Sequence, residues 1–336
     1  MKPFALLVKP VGAACNLACD YCFYLDKSRL YPNGPAVMPS AVLDRLLESY
    51  LSLPFDSYSI TFQGGEPLLA GLAFYRHVAD AVGRLVRSGA KANVAVQTNA
   101  TLMTPAMARL MAEEGWLCGV SADGPAPVHD IHRRTSSGEP TYETVARGLA
   151  MLREAGCEYN VLALVTRDNV GDPAGTYRHL RDNLGGAWQQ YTDHRESITP
   201  AEWDRFLCGV MDTWIADGDV GRVSVRNIDS AVAYVESGIA GQCILADRCD
   251  GYFVVERNGD VYPCDFFVSE RTLLGNIMRD GWDALCESPL RRSFAATKCP
   301  RHLSRTPEMR FCERIIEFVK KTETKLLRYG GSFDIL

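Results

Sequence analysis

Short apolar runs alternate with amphipathic helical patterns through the first two thirds of this 336-residue chain. Residues 4–9 (FALLVK) have the continuous apolar character of a buried strand, and residues 40–51 (SAVLDRLLESYL) repeat leucine at helical spacing. Further strand-like runs follow, with helical stretches between several of them: YSITF, ANVAVQT, WLCGVS, YNVLALVT and AWQQYT. Repeated strand–helix units predict an α/β fold with a parallel sheet. Polar residues and glycines follow the strands, so we expect them at the C-terminal mouth of a barrel.

The pattern changes after about residue 235. The run YFVVERNGDVYPCDFF has two strand-like halves around Asn258-Gly259, which predicts a β-hairpin. Residues 309–327 predict an amphipathic terminal helix that ends before Gly330 and Gly331. We therefore divide the chain into a barrel, residues 1–235, and a small C-terminal α+β domain, residues 236–336, packed closely on it.

Composition narrows the class of protein. The formal net charge of −5 argues against nucleic acid as a partner, because a phosphate-binding surface needs excess lysine and arginine. No apolar run approaches the roughly 20 residues of a membrane span, and the N-terminus does not resemble a signal peptide. We expect a cytoplasmic protein that does not bind membranes, in which disulfides are disfavoured.

The chain has twelve cysteines. Four of them stand alone and are expected as buried core residues, namely Cys118, Cys157, Cys208 and Cys286. The other eight fall in groups, which favours metal binding.

The first group, CNLACDYC, places Cys15, Cys19 and Cys22 in a C-x3-C-x2-C run after the first strand. Three thiolates on one loop can hold three irons of a [4Fe–4S] cluster and leave the fourth iron open, as a catalytic metal site requires. A zinc site or chance are the alternatives. The run resembles the signature of the radical S-adenosylmethionine (radical SAM) superfamily, in which SAM occupies the open iron. Tyr21 fits the aromatic residue that usually precedes the last cysteine there, and the resemblance implies that it contacts SAM.

Two later segments resemble motifs of the same superfamily. QGGEP contains Gly64, Gly65 and Glu66, where glycines allow close backbone approach and the carboxylate can pair with the SAM ammonium. VSADGPAPVHDIHRR resembles a segment in which Ser121 and Arg133 correspond to SAM contacts. Ordinary tight turns are the alternative for both segments. The resemblance implies a partial (β/α)6 barrel and SAM as cofactor.

The second group, CILADRC and YPC, supplies Cys243, Cys249 and Cys264 across the predicted hairpin. Together with CDFF and QGGEPLLAG it resembles the anaerobic sulfatase-maturating enzymes, radical SAM proteins with a C-terminal SPASM domain. The resemblance covers nearly the whole chain and implies that Cys299, in a CPR segment, is the fourth ligand of an auxiliary [4Fe–4S] cluster. Cys286 or Cys312 could replace Cys299, and a zinc site remains an alternative.

The C-x2-C-x5-C run that holds a second auxiliary cluster in that family is absent, which leaves Cys312 without partners. The resemblance therefore implies two [4Fe–4S] clusters: one that binds SAM and one auxiliary. The second electron of an oxidation could then pass from the auxiliary cluster to an external carrier or return to the barrel cluster. If neither route operates, the reaction is not a net oxidation of a sulfatase, and the protein modifies another peptide.

The chemistry implied is hydrogen abstraction by a 5′-deoxyadenosyl radical from Cβ of a cysteine or serine in a sulfatase-type peptide, giving Cα-formylglycine. Asp265 matches the family's proposed base, and an ordinary hydrogen-bonded aspartate is the alternative. The expected partners are a protein or peptide substrate and an electron donor such as flavodoxin or ferredoxin, with the enzyme a monomer. The alternative functions are modification of another peptide, for instance thioether formation, and a non-catalytic iron–sulfur remnant.

Overall fold

The computed structural model describes residues 1–32, 34–194, 197–297 and 309–322. The strands in these ranges are β1 Ala5–Lys9, β2 Ser57–Phe62, β3 Lys91–Thr98, β4 Leu117–Ser121, β5 Tyr159–Val165, β6 Trp188–Asp193, β7 Ser224–Val225, β8 Tyr252–Glu256, β9 Asp260–Tyr262 and β10 Gly275–Asn276. They form one sheet in the order β10–β9–β8–β1–β2–β3–β4–β5–β6–β7. From β1 to β7 every neighbouring pair is parallel, so the predicted α/β fold is confirmed.

Helices connect the parallel strands. In the described ranges they are α1 Ser40–Leu51, α2 Leu72–Leu85, α3 Pro105–Glu113, α4 Ala126–His132, α5 Tyr142–Ala155, α6 Pro173–Arg178, α7 Pro200–Ala216, α8 Arg226–Ser237, α9 Trp282–Glu287, α10 Pro289–Ala296 and α11 Met309–Thr322. Short 3₁₀ helices lie at Leu25–Leu30, Pro67–Ala70, Asp265–Phe267 and Glu270–Thr272, and a π-helical turn at His179–Asn183. The helical leucines predicted from the spacing in α1 are buried in one core with the apolar face of β1.

The predicted hairpin is confirmed, because β8 and β9 pair antiparallel around a turn in which Gly259 has a φ of 89°. The structure also shows which strand the hairpin pairs with, and the sequence does not predict this neighbour. β8 also pairs in parallel with β1, so that Lys9 lies opposite Glu256. The hairpin therefore extends the barrel sheet, and the segment after β9 reaches the mouth of the barrel.

The terminal helix α11 packs against α7 and α8. The backbone N–H of Phe311 donates to Asp204 Oδ1 at 3.0 Å, and Arg314 forms an ion pair with Asp212. The predicted helix end at residue 327 and the glycines after it lie outside the described residues. The predicted domain boundary at residue 235 falls two residues before α8 ends, and the division stays a prediction.

Three of the lone cysteines are buried in the core as predicted, namely Cys118, Cys157 and Cys208, and Cys286 packs partly buried against it. Among the described helices, none has the length and apolar character needed to cross a membrane.

Candidate active site

The cluster loop, residues 10–24, follows β1 and carries three half-buried cysteines: Cys15, Cys19 and Cys22. Two nitrogens approach Cys15 Sγ, the backbone N of Leu17 at 3.3 Å and Asn99 Nδ2 at 3.8 Å. Such donors stabilise a thiolate that is bound to iron. Burial raises the pKa of the Cys19 thiol to about 11, so cluster binding at this loop releases protons.

In the described ranges, no three His, Cys, Asp or Glu side chains converge closely enough to ligate a single ion. A [4Fe–4S] cluster differs from a single ion, because each thiolate binds a separate iron. Three thiols on one loop, with hydrogen-bond donors beside the first of them, are a donor set that fits such a cluster.

The two glycines of the GGEP segment allow it to lie directly against the cluster loop. Gly65 N donates to Gly12 O and Glu66 N donates to Ala14 O, each at 2.8 Å. A Cβ on Gly65 would lie 1.9 Å from Ala14 O, and Gly64 has a φ of 139°. A side chain at either position would therefore separate the two segments or strain the backbone.

Glu66 is fully buried and accepts three hydrogen bonds, from Thr98 Oγ1 at 2.7 Å, Asn99 N at 2.7 Å and Leu68 N at 2.9 Å. Burial raises the pKa of this carboxyl to about 7, although the three donors favour the ionised form. These bonds fix the loop after β3 beside the GGEP segment. A carboxylate has about four acceptor positions, so about one remains for the predicted contact with the SAM ammonium.

The segment after β4 contributes a buried ion pair to the barrel mouth. Arg133 Nε and Nη2 donate to the Asp123 carboxylate at 2.8 and 3.0 Å, and the Tyr21 hydroxyl donates to Asp123 Oδ2 at 2.5 Å. Burial would raise the pKa of Asp123, but the Arg133 guanidinium outweighs burial and holds this pKa below its usual range. Asp123 thus joins two predicted SAM contacts, Tyr21 and Arg133, into one rigid unit.

Unpartnered acceptors line the barrel interior beside this unit. Gln97, Gly119 and Asn160 lie opposite one another on β3, β4 and β5. Gln97 Nε2 donates to Ser121 Oγ at 3.0 Å, but Gln97 Oε1 and Asn160 Oδ1 are buried without a hydrogen-bond partner among the described residues. Buried acceptors normally have partners, and SAM carries amino and hydroxyl donors, so this interior fits the cofactor.

The auxiliary site is built by the hairpin and α10. Cys264 is buried, Cys249 is half-buried and Cys243 is exposed. Arg291 of α10 donates to the carbonyl oxygens of Cys249 and Pro263, each at 3.3 Å, and Cys249 N donates to Ala295 O at 3.2 Å. These bonds dock α10 on the segments that carry two expected ligands. The expected ligand Cys299 and the side chain of Cys312 lie outside the described residues.

Asp265 lies between the auxiliary site and the barrel mouth. It directly follows Cys264, and its Oδ1 accepts from the Tyr252 hydroxyl at 3.1 Å. Its Oδ2 accepts from Gln63 Nε2 at 3.3 Å and lies 3.9 Å from Lys9 Nζ. One carboxylate therefore contacts residues from β1, from the end of β2 and from β8. The position suits the predicted base, whose role stays a prediction.

Sequence reasoning missed several residues that the structure places at this mouth: Lys9, Tyr24, Asp123, Tyr252 and Glu256. Asp123 had a usable signal, because it follows β4 as Glu66 follows β2. Lys9 had one too, since a lysine directly after an apolar strand and before a cysteine loop is unusual. The remaining positions depend on long-range pairing that no local pattern indicates.

The fold and the two cysteine sites define a radical SAM enzyme with an auxiliary iron–sulfur domain. The profile of the radical SAM superfamily matches residues 10–180, just over half of the chain, and that of the SPASM iron–sulfur cluster-binding domain matches residues 243–314. A serine-type anaerobic sulfatase-maturating enzyme of Bacteroides thetaiotaomicron is 32% identical over 323 residues, 88% of this chain and 78% of that protein. Within the superfamily, the chain belongs to the anaerobic sulfatase-maturating enzymes.

A second relative and two solved structures are also similar to this chain. A cysteine-type anaerobic sulfatase-maturating enzyme of Clostridium perfringens is 30% identical, covering 90% of this chain and 85% of that one. The solved structure of native anSMEcpe with bound AdoMet and the Cp18Cys peptide has a TM-score of 0.82 at 27% identity, covering 97% and 98% of the two chains. Streptococcus suis SuiB bound to its precursor peptide SuiA, at 16% identity and a TM-score of 0.66 over 89% of this chain and 68% of that one, shares the fold.

We expect Gly65→Ala to lose the barrel cluster, because the added Cβ would lie against Ala14 O and push the cluster loop away. Gly83→Ala, in α2 with open space around it, is the matched control. Iron analysis and visible absorbance after anaerobic reconstitution measure the loss, expected to be about four irons per chain in Gly65→Ala alone. Full iron content in both variants would contradict the packing argument.

Proposed function

We propose that this enzyme oxidises a cysteine or serine side chain of a sulfatase-type peptide to Cα-formylglycine. The observation that carries the proposal is the position of Asp265, a carboxylate directly after auxiliary ligand Cys264 and in contact with Gln63 at the barrel mouth. Similarity does not select the residue that is oxidised, because serine-type and cysteine-type relatives match this chain at 32% and 30% identity.

Seven cysteines would hold the two clusters, and the barrel mouth beside the cluster loop would form the SAM pocket. When bound, SAM and the barrel cluster would supply a 5′-deoxyadenosyl radical that removes a hydrogen atom, and the auxiliary cluster would accept one electron. The residues assigned to SAM are Tyr21, Gly64, Gly65, Glu66, Ser121 and Arg133, and those assigned to iron are Cys15, Cys19, Cys22, Cys243, Cys249, Cys264 and Cys299.

Asp265 takes the proton of the substrate thiol or hydroxyl, as a base near the target must. The substrate side chain thus loses one hydrogen atom from Cβ, one proton from its sulfur or oxygen, and one electron. A serine side chain then becomes the aldehyde directly. A cysteine side chain becomes a thioaldehyde, which water hydrolyses to the aldehyde and hydrogen sulfide. The donors to Asp265, from Gln63 and Tyr252, keep its carboxylate oriented for this transfer.

One auxiliary cluster, held by Cys243, Cys249, Cys264 and Cys299, would accept the second electron, since the chain lacks the C-x2-C-x5-C run of a second one. The docking of α10 supports Cys299 as its fourth ligand. The helix ends at Ala296, and three further residues reach at most about 10 Å. An external carrier such as flavodoxin or ferredoxin would take this electron and would also reduce the barrel cluster. We expect the enzyme to act as a monomer.

Anaerobic incubation with SAM, dithionite and a C-x-P-x-R peptide should give a peptide lighter by about 18 mass units, because SH and one H are replaced by O. The matched serine peptide should lose about 2 units, as two H are removed. Mass spectrometry measures both mass changes. Asp265→Asn should abolish both products while leaving the clusters intact.

A loss of about 2 units from the cysteine peptide would instead indicate a crosslink such as a thioether, because two H leave and sulfur stays. No 5′-deoxyadenosine under any condition, with peptide present, would support the non-catalytic remnant.

The reconstituted enzyme should contain about eight irons per chain, four for each of two clusters. Cys299→Ala should retain about four irons and Cys312→Ala about eight. About twelve irons in the unsubstituted enzyme would contradict the two-cluster assignment. Loss of iron in Cys286→Ala or Cys312→Ala, with Cys299→Ala unchanged, would move the fourth ligand to that residue.

A further inference from the structure

Lys9 is a buried lysine at the joint between the barrel and the hairpin. It is the last residue of β1, lies opposite Glu256 of β8, and has a side chain that is only 1% exposed. Lysine is almost never fully buried unless it is paired. Two residues earlier on the same strand, Leu7 packs in an apolar cluster with Val254. This face of β1 and β8 therefore changes from apolar to charged where the two strands reach the barrel mouth.

The Lys9 side chain contacts three separate segments. Its Nζ lies 3.9 Å from Asp265 Oδ2 and 4.4 Å from the centre of the Tyr24 ring, which belongs to the cluster loop. Its aliphatic part lies against the GGEP segment, where a Cβ on Gly64 would be 3.2 Å from Lys9 Cδ. One side chain thus joins the segments that carry the barrel cluster, the SAM pocket and Asp265.

Two acidic side chains and one aromatic ring surround the Lys9 amine. Burial lowers the pKa of Lys9, whereas the carboxylates of Asp265 and Glu256 oppose that shift, and the Tyr24 ring adds a cation–π contact. Glu256 in turn accepts a hydrogen bond from the Tyr24 hydroxyl. The other side chains that hydrogen-bond to Asp265 in the described ranges are Gln63, Tyr252 and, at 3.9 Å, the Cys264 thiol, and none of these donors carries a positive charge.

We propose that Lys9 is the positioning residue that holds the Asp265 carboxylate at the barrel mouth, so that proton transfer follows hydrogen abstraction. The inference rests on the proposed base role of Asp265. It predicts that loss of the ammonium leaves SAM binding and radical formation in place, since these depend on the cysteines and the GGEP backbone. Proton transfer to Asp265 then fails, and SAM is cleaved without formation of the aldehyde product.

Lys9→Met tests this with the full reconstituted enzyme, because methionine keeps an unbranched side chain against Gly64 and removes the charge. Iron content and the rate of 5′-deoxyadenosine release should match the unsubstituted enzyme within about twofold, whereas product per 5′-deoxyadenosine should fall at least about tenfold. Lys91→Met, at the exposed start of β3, is the matched control and should change neither quantity. A structural defect would instead reduce iron, cleavage and product together.

A thermal double-mutant cycle gives a readout that does not depend on turnover. Lys9→Met and Asp265→Asn should each lower the melting temperature of the reconstituted enzyme, because each removes one half of the buried Lys9–Asp265 ion pair. The double variant should melt higher than the sum of the two losses predicts, since both charges are then gone.

Additive losses in the cycle, or equal falls in product and 5′-deoxyadenosine in Lys9→Met, would overturn the inference. If the unsubstituted enzyme oxidises neither peptide, the proposed function fails. The thermal cycle then still decides whether Lys9 and Asp265 are coupled.

Discussion

The parallel pairing of β1 with β8 is the constraint on which the active site depends. These strands are separated by more than 240 residues, yet their register places Lys9 beside Glu256 and carries the hairpin to the barrel mouth. Because Cys264 and Asp265 follow the hairpin directly, the same pairing sets an expected auxiliary ligand and a carboxylate next to the cluster loop. Side-chain contacts such as the hydrogen bond from Tyr24 to Glu256 depend on this register.

The mouth is held together by buried charges, each of which has several partners. Glu66 binds the loop after β3, Asp123 joins Arg133 to Tyr21, and Asp265 contacts three strands. A buried charge is costly unless it is paired and hydrogen-bonded. These groups therefore tolerate little displacement, which is a useful property where a radical must meet one carbon atom and no other. The close contact between Gly65 and the cluster loop likewise limits displacement of that loop.

Much of this could be predicted from the sequence, because the signals are local. Apolar runs and helical spacing predict the strands and helices, Asn258-Gly259 predicts the hairpin turn, and the spacing of Cys15, Cys19 and Cys22 indicates a cluster loop. The position of β8 could not be predicted, since a run of apolar residues does not specify its neighbour in the sheet. For the same reason the contacts of Lys9 with Asp265 and Tyr24 could not be predicted, nor could the three internal donors to Glu66, whose predicted partner is the SAM ammonium.

The central claim is that a radical formed at the barrel cluster takes hydrogen from Cβ of the target residue. A C-x-P-x-R peptide with both Cβ hydrogens of its cysteine replaced by deuterium tests it most directly. We predict that 5′-deoxyadenosine gains one deuterium during anaerobic turnover and that the aldehyde product retains the other. Unlabelled 5′-deoxyadenosine together with full aldehyde formation would contradict the account, because the hydrogen would then have come from elsewhere.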